Sequence, residues 1–67
     1  MIFRVTCNSL KEAEGLSKRL PDGTKLRGSV SGVTFVLDGE AHIAAQLYTW
    51  GETHDAIVAH VIDEKSI

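Results

Sequence analysis

The sequence predicts an α+β fold with the element order β-α-β-β-α-β. Residues 2–7 and 33–37 sort into two faces with period two, as strands do. Residues 10–20 and 40–50 carry apolar side chains at helical spacing. Between two strand-like runs sits Ser31-Gly32, where glycine tolerates the positive φ that a two-residue hairpin turn demands.

The first strand, residues 2–7, places Phe3, Val5 and Cys7 on one face and Ile2, Arg4 and Thr6 on the other. Ser9-Leu10-Lys11-Glu12 then fits a capping box, in which the Ser9 hydroxyl accepts from the Glu12 N–H. Leu10, Ala13, Leu16 and Leu20 form the apolar stripe of the first helix, and Pro21 sets its end. Pro21-Asp22-Gly23 reads as a turn.

Two strands follow, at 24–30 and 33–37. Pairing Val30 with Val33 sets Gly28 opposite Phe35 and Leu26 opposite Leu37, all on one face. Lys25, Arg27, Ser29, Thr34 and Val36 fall on the other. Asp38 is the expected N-cap of a second helix over 40–50, with Ile43, Ala44, Leu47 and Trp50 on its apolar side and Gly51 as its stop. After the polar loop 52–55, residues 56–62 form the last strand. Ile57, Ala59 and Val61 compete with Val58, His60 and Ile62 for its core side, and Asp63 to Ile67 read as a fraying tail.

Right-handed crossovers over the two helices bring the first and third strands to the centre of a four-stranded antiparallel sheet, with both helices on one face. This order resembles the ferredoxin-like split βαβ pattern, which hosts many unrelated functions.

With 67 residues there is room for one domain, residues 1–67, of modest net stability, roughly 3–10 kcal/mol. The net charge of −2 gives no global pull toward nucleic acid. A single cysteine, Cys7, forms neither an internal disulfide nor a redox pair, which fits a cytoplasmic protein. No apolar run approaches the ~18 residues of a membrane span, and no leader is expected.

The arrangement leaves one sheet face without helices. It is expected to carry Ile2, Arg4, Thr6, Lys25, Arg27, Ser29, Thr34 and Val36, joined by Val58, His60 and Ile62 if the last strand turns them outward. That mixture of cations, a histidine and aliphatics suits an acidic protein partner or a phosphate backbone. Tyr48 and Trp50 at the end of the second helix are a candidate interface hot spot.

The RNA-recognition motif shares this element order, but in Ser31-Gly32-Val33-Thr34-Phe35-Val36 only Gly32, Phe35 and Val36 match its third-strand pattern. The three histidines match no metal-ligand spacing, no cofactor motif is present, and no nucleophile has a base and an orienting acid beside it. The expectation is therefore a non-enzymatic protein-binding module, accessory, regulatory or inhibitory. Phage- and mobile-element-encoded inhibitors fall in that size class. It acts through a protein partner or self-association and through no membrane. Weak nucleic-acid binding by the open face and small-ligand sensing between subunits are the alternatives. The candidate partner-binding residues are Arg4, Lys25, Arg27, Val36, Tyr48, Trp50 and His60.

Overall fold

The computed structural model describes residues 1–61, so the expectations for Ile62 and the tail after it lie outside the described residues. The elements are β1 (Ile2–Thr6), α1 (Leu10–Ser17), β2 (Thr24–Ser31), β3 (Thr34–Gly39), a 3-10 turn (Ala41–Ile43), α2 (Ala44–Thr53) and β4 (Ile57–Val61). The chain is α+β, with a four-stranded antiparallel sheet in the order β2-β3-β1-β4. Strands β1 and β3 are central, as the crossover argument requires.

Alternation in β1 and β3 builds the core. Phe3, Val5, Phe35 and Leu37 are buried on one face, where Ala13 and Leu16 of α1 and Leu47 of α2 join them, along with Cys7, Ile43 and Ala56. Ser9 caps α1, its hydroxyl accepting from the Glu12 N–H at 3.1 Å. Leu10, the first residue of α1, departs from the expected stripe and is 60% exposed, while Ala13 and Leu16 are buried. The helix also ends earlier than Pro21 alone dictates. Lys18 and Arg19 donate to the carbonyls of Gly15 and Leu16, tightening the last turn, and Leu20 packs on the core from the loop.

The β2–β3 hairpin keeps the expected register at its open end, where Leu26 faces Leu37 and Arg27 faces Val36. It loses that register toward the turn. Ser31 pairs with Thr34, so the loop is Gly32-Val33 rather than Ser31-Gly32 and the Val30–Val33 pairing is absent. A bulge between Arg27 and Ser31 absorbs the two extra residues. Gly28 sits there at φ 79°, a conformation that glycine adopts without penalty.

The second helix differs at both ends. Asp38 is not its N-cap; it stays in β3 as the partner of Ile2 and Lys25. Gly51 does not stop the helix but lies buried within it, where a Cβ would sit 2.7 Å from Val58 Cγ2 and 3.0 Å from the Ala56 carbonyl oxygen. The end is a Schellman motif. His54 is the C-cap, Asp55 takes the left-handed conformation at φ 56°, and the N–H groups of Ala56 and Asp55 donate to the carbonyls of Gly51 (2.7 Å) and Glu52 (3.2 Å). This closure fixes the entry of β4 and hence its phase.

Candidate functional site

Residues directly opposite each other on neighbouring strands share a sheet face. The registers therefore assign the face away from the helices row by row. One row runs Lys25, Asp38, Ile2, Val61; the next Arg27, Val36, Arg4, Ala59; the third Ser31, Thr34, Thr6, Ile57. Arg4 and Arg27 thus flank Val36 in one row, and all three stand where the sequence put them. Lys25 lies one row away and is exposed, as are both arginines.

The phase of β4 corrects the expectation for its outward residues. Ile57, Ala59 and Val61 line the open face, while Val58 and His60 turn to the helix side. His60 lies 5.9 Å from the Phe3 ring, centroid to centroid, and does not join the arginines. Packing decides this phase: Val58 drops against the bare backbone of Gly51, a fit that the alternation of Ile57-Val58-Ala59-His60-Val61 does not reveal. In its place Ile57 stands 71% exposed at the rim of the open face. The missed signal was the pairing of a buried glycine with a β-branched residue across the loop.

Among the described residues of this face, three fixed cations oppose one carboxylate, in a chain with nine acidic and seven basic side chains. The face is therefore net positive and the rest of the chain net negative. Arg27 reaches Asp38 at 3.6 Å, and the amino group of Met1 lies 4.0 Å from the same carboxylate. Both pairs are solvent-exposed, which makes each worth at most about 1 kcal/mol. The two sheet phenylalanines, Phe3 and Phe35, both point into the core, so no described residue offers an aromatic ring to this face.

Tyr48 and Trp50 belong to the helical layer. Tyr48 is 41% exposed and meets Phe3 edge-on, with ring centroids 6.5 Å apart, so Tyr48 and His60 both pack near the Phe3 ring. Trp50 is half-buried against the core and lies 5.4 Å from the His54 ring. The structure therefore separates these aromatics from Arg4, Lys25, Arg27 and Val36. Cys7 is buried, and burial first, then the Glu12 carboxylate, pushes its thiol above the ordinary range, away from the reactive thiolate. Among the described residues no group of three or more His, Cys, Asp or Glu could hold a metal, and no helix is long and apolar enough to cross a membrane.

Compared with protein-family models, with curated proteins and with solved structures, the chain matches none.

Proposed function

We propose that this chain is a small, non-enzymatic protein-binding module of the ferredoxin-like arrangement, accessory or regulatory in role, whose open sheet face docks an acidic and partly apolar surface of another protein. One observation carries the reading: Arg4 and Arg27 bracket Val36 in a single row, beside Ala59 and the protruding Ile57. Arginines over an aliphatic strip are the composition of a protein interface, where a planar guanidinium pairs with carboxylates and its stem covers apolar surface. The alternative of single-strand nucleic-acid binding has less support, since that mode stacks bases on aromatic side chains and both sheet phenylalanines lie on the far side.

The test is affinity capture from the host extract with the wild-type chain, an Arg4→Ala/Arg27→Ala double variant and an Arg19→Ala control. Arg19 sits after α1, away from the face, and both arginines of the double variant are exposed, so all three proteins fold. The expected result is a partner retained by wild type and by the control and lost from the double variant. A partner held equally by all three overturns the reading. Binding to a homopolymeric RNA that falls steeply with salt moves the assignment to nucleic acid.

A further inference from the structure

We infer that two copies of this chain join along β4, edge to edge and antiparallel, into one continuous eight-stranded sheet. The inference goes beyond the docking face, because it uses the backbone of the sheet edge and the helix-side rim.

The two outer edges of the sheet differ. Edge β2 carries the devices that keep strands from pairing: a bulge at Gly28 and the cations Lys25 and Arg27. Edge β4 carries none of them. Its five residues, Ile57-Val58-Ala59-His60-Val61, include no Lys, Pro, Gly or fixed charge, and they pair with β1 without a break from Ile57 to Val61. Among the described residues nothing pairs with its outer side.

The hydrogen bonds of β1 determine which β4 groups point outward. Cys7 donates its N–H to the Val33 carbonyl at 2.8 Å, and Met1 and Gly39 exchange N–H donations at 2.7 and 3.0 Å. Odd-numbered residues of β1 therefore turn their backbone toward β3, and Ile2, Arg4 and Thr6 turn theirs toward β4. Their partners Val61, Ala59 and Ile57 face inward, so the N–H and C=O groups of Val58 and His60 face out.

A two-fold axis at Ala59 matches these groups to themselves. Val58 of one copy exchanges both bonds with His60 of the other, and Ala59 lies opposite Ala59. Ile57, the most exposed large apolar side chain of the face, then lies opposite Val61. Charge permits the pairing: Ile57 to Val61 bring no fixed charge to the seam. On the helix side the exposed His60 stands at the seam, its ring against that of Phe3. The two open faces end on one side, with the Arg4 pair about 14 Å apart across three strand spacings.

Sedimentation of the full chain tests this, read together with amide hydrogen exchange. The expected mass is twice the 7.3 kDa chain, with slow exchange at the Val58 and His60 amides. His60→Pro removes one outward donor, leaves the β1 ladder intact and keeps the open face unchanged, so it separates this inference from the docking reading. It is expected to give the single-chain mass at the same concentration. Ala59→Lys sets two cations opposite each other at the axis and has the same expected effect, while Arg27→Ala leaves the mass doubled. A single-chain mass for wild type at high concentration overturns the inference, as does a doubled mass that both β4 variants preserve.

Discussion

Replacing Gly51 by alanine pits helix propensity against packing at one atom. In an ordinary helix interior alanine is better than glycine by about 1 kcal/mol. At Gly51 the new Cβ lies 2.7 Å from Val58 Cγ2 and 3.0 Å from the Ala56 carbonyl oxygen. Neither neighbour yields cheaply: Val58 is β-branched and stiff, and the Ala56 backbone is held by its own N–H donation to Gly51 at 2.7 Å. Overpacking of this kind costs roughly 1–3 kcal/mol and outweighs the propensity gain, so Gly51→Ala is expected to lower stability by up to about 2 kcal/mol net. Gly15 in α1 supplies the internal control, since a Cβ there meets nothing within 4 Å. Gly15→Ala is expected to raise stability by about 0.5–1 kcal/mol. Urea unfolding of the three proteins reads the difference, and a thermal scan shows it as about 4–8 °C per kcal/mol for a domain of this size. If Gly51→Ala stabilises as much as Gly15→Ala, the seating of α2 on β4 is wrong, and with it the assignment of Ile57 and Ala59 to the open face.

Asp55→Gly relieves a left-handed residue at φ 56° and leaves intact the backbone carbonyl that accepts from Asn8 Nδ2 at 3.1 Å, so stability should rise by a few tenths to about 1 kcal/mol in the same urea assay; a loss would contradict the Schellman closure. Cys7 should react with a disulfide reagent far more slowly in the folded chain than in urea, and equal rates would contradict its burial. Because its folded-state pKa is raised, the associated stability is fully present below the unfolded thiol's pKa and is lost as pH rises through the folded value. A Cys7→Ser variant titrated from pH 7 to 10 should lack that alkaline loss.

Much of the fold was legible because local signals and burial agree in it. The alternation of Phe3 and Val5 and the Ser9 cap each rest on a pattern within a few residues, and each is present; the Leu26–Leu37 pairing is present too, although the bulge at Gly28 and not the expected turn sets it. The departures share a cause of the opposite kind. Gly28 has the freedom to bulge, but only the closure of the Gly32-Val33 loop against β1, through the Cys7 to Val33 bond, shows that it does. Gly51 reads as a helix stop by composition, whereas its role depends on Val58 across the loop. Asp38 reads as a cap, but its strand pairing with Ile2 and Lys25 holds it in β3. Of the candidate site, Arg4, Arg27 and Val36 came from strands whose phase the core fixes. His60 was misplaced because both alternations of β4 carry branched apolar residues, and only the packing of α2 chooses between them.

The most direct measurement of the docking account is side-chain footprinting of the captured complex against the free chain. The account predicts that Ile57, Val36 and Ile2 lose labelling on binding while Leu10, exposed on the helical side, keeps it. Protection of Leu10 with undiminished labelling of Ile57 and Val36 would contradict it.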